Sequence, residues 1–143
     1  MRSVMIARHA HRQSSARFPS TMPTILIIED QSEIRGITAV LLRREGYIVE
    51  EARSGEEALT FLRHSDRDPC LILVDLMMPV LGDWDVVDAL RDEDRILALP
   101  VVVLSAAHPK VAPPGIAAFV RKPIDFDLLL GLVRRYCGPG AGG

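Results

Sequence analysis

Cysteine, long apolar runs and any excess of positive charge are all scarce in this 143-residue chain, and each scarcity narrows what it does. Cys70 and Cys137 stand 67 positions apart, in no CxxC or other metal-ligand spacing, and read as free thiols in a reducing cytoplasm, Cys70 inside a strand. No apolar run approaches the about 20 residues that a helical bilayer span requires, which argues against a membrane protein. A formal net charge of −2, with 25% charged and 48% hydrophobic residues, argues against disorder and against a strongly basic nucleic-acid surface. Acids are missing altogether from residues 1–22, which hold Arg2, Arg8, Arg12 and Arg17. The remainder therefore keeps 13 of the 17 basic side chains against all 19 acids, a formal charge of −6.

What is present fits one compact domain, since a chain of this length buries roughly two-thirds of its unfolded surface in a single core. Residues 1–22 have the Arg- and Ser-rich composition of an organellar transit peptide, but Met22-Pro23 directly before the first strand favours a disordered tail or an upstream start. His9 and His11 lie in that tail without nearby Cys, Asp or Glu and read as tail residues. The folded domain is expected over 23–137, with a frayed glycine-rich end over 138–143.

Short β-branched runs then alternate with amphipathic stretches, the pattern of βα units on a parallel sheet. Strands are expected at Thr24–Ile28, Tyr47–Ala52, Cys70–Val74, Val101–Leu104 and Ala117–Val120. The unbroken ILII of the first and the apolar third suit strands covered on both faces. A helix over Ser32–Glu45 would bury Ile34, Ile37 and Leu41, and one capped by Ser54 would bury Ala58, Leu59 and Leu62. A third is expected from Trp84 with Val86, Val87 and Leu90 inward, and a last from Asp125 to Tyr136 with Leu128, Leu129, Leu132 and Val133 inward. Right-handed crossovers suit a flavodoxin-like doubly wound α/β sheet of five strands in the order 2-1-3-4-5, whose ligands bind beyond the C-terminal strand ends.

Glu29, Asp30 and Asp75 close strands one and three, so their carboxylates converge. The repulsion is relieved either by protonation, with raised pKa, or by a cation, for which a hard divalent ion such as Mg²⁺ fits best. Ser105 and Lys122, after strands four and five, reach the same rim. A hydroxyl and an ammonium beside a metal-bound carboxylate suit a phosphoryl group, with Asp75 as nucleophile.

The segments IIEDQ (27–31), LILVDLMMP (71–79), VVVLSA (101–106) and FVRKP (119–123) resemble the receiver domains of two-component response regulators, over about residues 24–137. The resemblance implies that Asp75 accepts the phosphoryl group and that Asp30, with Glu29, Asp75 and the Met77 carbonyl, holds Mg²⁺. It implies that Ser105 is the switch hydroxyl, Lys122 the phosphate-contacting lysine and Phe119 the aromatic switch, and that the Lys122–Pro123 bond is cis. The partners implied are a sensor histidine kinase or histidine phosphotransfer protein and a downstream protein, with neither nucleic acid nor membrane, and a homodimer is allowed.

Two departures from the family stand out. Gly82 and Asp83 occur in reversed order after the third strand, and thirteen residues rich in proline, among them Pro109, Pro113 and Pro114, separate Ser105 from Phe119. A proline inside a helix costs about 3 kcal/mol, so the fourth helix is expected to be short or missing, and with it the usual signalling face. Met77 and Ala107 are apolar where a hydrolytic water would be oriented, which points to a slowly decaying acyl phosphate. A phosphatase with a strand-end Asp would need an acid two residues on, where Met77 stands. The leading expectation is a stand-alone receiver without separate substrate turnover. The alternatives are a phosphorylation-independent adaptor and the receiver fragment of a longer regulator.

Overall fold

The computed structural model of the chain describes residues 23–76, 87–88, 91–92, 98–106 and 115–141. Expectations about the tail 1–22, the helix beginning at Trp84 apart from Val87, Gly82 and Asp83, and the proline-rich segment 107–114 with its shortened helix lie outside these residues.

Five parallel strands form one sheet: β1 (Thr24–Ile28), β2 (Ile48–Ala52), β3 (Leu71–Leu76), β4 (Val101–Ser105) and β5 (Ala118–Arg121). Their order is β2-β1-β3-β4-β5, the doubly wound order expected. Three helices have defined bounds among the described residues: α1 (Ser32–Arg44), α2 (Gly55–His64) and α3 (Phe126–Cys137).

The continuous apolar runs of the inner strands are explained by packing on both faces. Ile25, Ile27, Leu71, Leu73, Val102 and Leu104 join Ala39 and Leu42 of α1 and Leu129, Leu130 and Val133 of α3 in one buried layer. The alternate residues Leu26, Ile28, Ile72, Val74, Val101 and Val103 meet Ala58 and Leu62 of α2, with Val87 and Leu99, in the other. Since successive strand side chains point to opposite faces, each inner strand serves both layers.

Local signals set the helix ends. The Ser54 hydroxyl accepts from the Glu57 N–H at 3.1 Å, and Glu57 in turn accepts from the Arg53 N–H at 3.0 Å. Asp125 caps α3 by accepting from the N–H groups of Asp127 and Leu128.

Three expectations about packing are corrected. In α1 the buried residues are Ala39 and Leu42, whereas Ile37 is 62% exposed and Ile34 36%. The inward stripe is rotated by one residue and runs through Arg35, whose guanidinium reaches back to the sheet. In α3, Leu130 is buried and Leu128 is 57% exposed, because the helix turns Leu129, Leu130 and Val133 toward the first layer.

The third correction concerns the cysteines, which are not free thiols: Cys70 and Cys137 form a disulfide with a Cα–Cα separation of 5.1 Å. Cys70 lies just before β3, and Cys137 is the last residue of α3. The helix after β5 runs back toward the starting ends of the strands, so the two meet despite a separation of 67 residues. The first residues of the glycine-rich end make contacts with the turn between α1 and β2. The Tyr47 hydroxyl donates to the Gly138 carbonyl at 2.6 Å, and the Ala141 N–H donates to the Gly46 carbonyl at 2.9 Å.

Candidate functional site

The register of the sheet assembles the polar rim. Ile28 pairs with Val74, so Glu29 and Asp30 follow β1 beside Asp75, the fifth residue of β3. Asp75 and Leu76 pair with Leu104 and Ser105, and Ser105 pairs with Arg121. The Lys122 N–H donates to the Ser105 carbonyl at 2.7 Å, which places the lysine one step beyond the end of β5. The Lys122–Pro123 bond is cis.

Three polar side chains of this rim are buried: Glu29, Asp75 and Ser105, the last with no exposed surface. Asp75 closes β3 from within the strand. The Lys122 Nζ forms an ion pair with its Oδ1, and both groups are largely withdrawn from solvent, with side chains 22% and 4% exposed. In so dry a place an ion pair is favourable only with good geometry and few competing charges.

Among the described residues, Glu29 is the most perturbed group. Burial raises its carboxyl from 4.5 to about 8, helped by a hydrogen bond with the Asp30 carboxyl and by the nearby charges of Asp75 and Asp30. The Gln31 N–H, which donates to Glu29 Oε2 at 2.7 Å, pulls the other way. The three carboxylates are thus electrostatic neighbours. Among the described residues, though, no three His, Cys, Asp or Glu side chains form a ready-made metal cage. Burial and mutual repulsion that push up a carboxyl among crowded acids are what a hard divalent cation keeping several waters would relieve, by favouring the ionised forms.

One residue of this neighbourhood was passed over in the sequence. Arg35 donates from Nη1 to the Glu29 carbonyl at 2.7 Å and from Nε to Glu51 at 3.1 Å, tying the turn after β1 to β2. Arg43 reaches the same Glu51 carboxylate at 3.2 Å. The signal was the spacing of Arg35, Ala39 and Leu42, an alternative helical stripe to that of Ile34, Ile37 and Leu41. Phe119 lies in β5, half-buried against the second layer. Met77 and Ala107 lie outside the described residues.

Residues 25–134 match the response regulator receiver domain family. The chain belongs to that family. Among curated relatives, this receiver is 36% identical over 107 residues to response regulator GtcR of Aneurinibacillus migulanus, covering 71% of this chain and 42% of that protein. It is 28% identical over 120 residues to the polar-differentiation response regulator DivK of Brucella ovis, covering 80% of this chain and 96% of that one. The receiver spans half or less of the first relatives' length, 42%, 50% and 16% of them, but nearly all of DivK.

Among solved structures, it resembles a response regulator receiver protein from Pseudomonas putida, with a TM-score of 0.70 and 26% identity over 81% of this chain and 98% of that one. It also resembles response regulator TrrA of Thermotoga maritima, solved in complex with Mg²⁺–BeF, with a TM-score of 0.67 and 25% identity over 80% and 99% of the two chains. Receiver domains are signalling domains, phosphorylated by histidine kinases or phosphotransfer proteins, and bind Mg²⁺ at the phosphorylation site.

Proposed function

We propose that this receiver accepts a phosphoryl group on Asp75 from a phosphohistidine donor, a histidine kinase or phosphotransfer protein, and thereby changes its affinity for a downstream protein. The observation that carries the reading is the Asp75–Lys122 ion pair at the ends of β3 and β5, set beside Glu29 and Asp30. In the reaction a carboxylate oxygen of Asp75 forms the new O–P bond while the P–N bond to the donor imidazole breaks. The electron pair stays on the imidazole nitrogen. Lys122 then turns from its pairing with Asp75 to the phosphoryl oxygens, and the Ser105 hydroxyl, at the end of β4, donates to another.

Mg²⁺, held through Asp30, Glu29, Asp75 and the Met77 carbonyl, would neutralise the developing charge on the phosphoryl oxygens. Phe119, next to this rim on β5, is the proposed reporter that relays occupancy of Asp75 to the surface.

The test is incubation with acetyl phosphate and Mg²⁺, and separately with beryllofluoride, followed by intact-mass analysis and fluorine resonance. Mg²⁺-dependent modification that disappears in Asp75→Asn is expected. A protein that binds Mg²⁺ yet takes no phosphoryl group from acetyl phosphate or from any histidine donor would instead be a phosphorylation-independent adaptor.

A further inference from the structure

At the opposite end of β3 from Asp75 sits chemistry the phosphoryl site does not use. Cys70 immediately precedes the strand, so the two residues are about 16 Å apart along it at the usual rise per residue. Both cysteines are half-buried, which leaves the cystine at the molecular surface. The Cys70 Sγ lies 3.3 Å from the carbonyl oxygen of Thr24, a distance at which a thiol S–H would find its acceptor in place. An acceptor for a Cys70 thiol is thus already in place, while reduction obliges the two sulfurs, now bonded, to move apart.

Cys137 is the last residue of α3, and four contacts follow it or flank it. Tyr47 donates to the Gly138 carbonyl, Ala141 donates to the Gly46 carbonyl, and Arg134 reaches Glu45 at 3.4 Å. Gly140 packs so closely on the Glu45–Gly46 turn that a Cβ there would lie 2.8 Å from the Glu45 carbonyl carbon and 3.0 Å from the Gly46 Cα. The end of the described chain is thus fastened to the α1–β2 turn by three hydrogen-bonding or ionic contacts and one close approach, and to the base of β3 by one covalent bond.

We propose that the Cys70–Cys137 cystine is a thiol–disulfide exchange site, whose reduction by a dithiol loosens the end of α3 and residues 138–141 from the α1–β2 turn. A thiolate of the reductant attacks one sulfur of the cystine, forming a mixed disulfide and releasing the other cysteine as a thiolate, which takes up a proton. The second thiol of the reductant, deprotonated, displaces the remaining cysteine, so the reductant leaves as a disulfide and two electrons pass to the receiver. A disulfide oxidant runs the same steps in reverse.

The full chain is equilibrated in native buffer over a series of reduced-to-oxidised dithiothreitol ratios, quenched in acid, and its thiols counted by maleimide mass shift. Amide hydrogen exchange is then followed in both forms and in Cys70→Ser. The expected result is a single reversible transition in which both thiols appear together in monomeric, folded protein. Exchange at Gly138 and Ala141 should become at least about tenfold faster in the reduced form and in Cys70→Ser, while Val101–Ser105 stay protected. A cystine that opens only when the chain unfolds, or disulfides that form between molecules in place of the internal one, would overturn the proposal. So would equal exchange at Gly138 and Ala141 in the two redox forms.

Discussion

The Lys122 ammonium meets the Asp75 carboxylate across the intervening strand β4, which carries the buried Ser105 one residue beyond Leu104, the partner of Asp75. The lysine is set there by the main chain, through the bond from its N–H to the Ser105 carbonyl. Replacing it leaves a buried carboxylate without its counter-charge, so Lys122→Met is expected to lower unfolding free energy in metal-free buffer by about 3 kcal/mol. Urea denaturation measures this. Because divalent cation would compensate, the loss should shrink when Mg²⁺ is added, and a loss unaffected by Mg²⁺ would separate the pair from any cation site.

A pH dependence follows from Glu29. Its carboxyl titrates near 8 in the folded protein against 4.5 when unfolded, so between these values the folded state holds the extra proton. Stability from this group is fully present below pH 4.5 and is lost as pH rises through 8. Glu29→Gln removes the titration. The melting temperature of Glu29→Gln minus that of the parent should therefore grow from pH 5 to pH 8 in metal-free buffer, and a flat difference would place the burden on another group.

The cystine closes a segment of 67 residues, for which chain-entropy arguments give about 4 kcal/mol of stabilisation. Reduced protein, or Cys137→Ser, is expected to melt on the order of 10 °C lower than oxidised protein in a calorimetric scan. Equal melting in the two forms would mean that the unfolded chain gains nothing from losing the link.

Gly140→Ala tests the close approach at the Glu45–Gly46 turn. The added methyl cannot share space with the Glu45 carbonyl, so residues 138–141 must move outward, giving up the bonds from Tyr47 and Ala141. A stability loss of about 1 kcal/mol is expected, with faster amide exchange at Ala141. Gly131, whose Cβ would meet nothing within 4 Å, supplies the control substitution to Ala.

Strand order was legible in the sequence because the inner strands are apolar on both faces, a pattern that few architectures other than a covered parallel sheet produce. Asp75 stood out for a related reason: an acid ending such a run has no place in either apolar layer. The rotation of α1 was not legible. Ile34, Ile37 and Leu41 fit a helical stripe as well as Arg35, Ala39 and Leu42 do, and hydrophobicity alone favours the isoleucines. The choice is made by the reach of Arg35 to Glu29 and Glu51, a contact between elements. The disulfide was hidden because spacing rules describe local metal sites, whereas Cys70 and Cys137 are brought together by the direction in which the last helix runs back after β5.

The apolar interior of β3 has a consequence for how its alignment is specified. Ile72, Leu73 and Val74 are interchangeable in polarity, so sliding the strand by one residue against β1 and β4 would exchange one apolar side chain for another and meet little opposition from the layers. Its two ends supply the opposition. At one, Cys70 must meet Cys137; at the other, Asp75 must meet Lys122. The strand is held in frame by its termini, much as a ruler is read from its end marks, and an edit that spares every apolar residue can still misalign the sheet if it removes both.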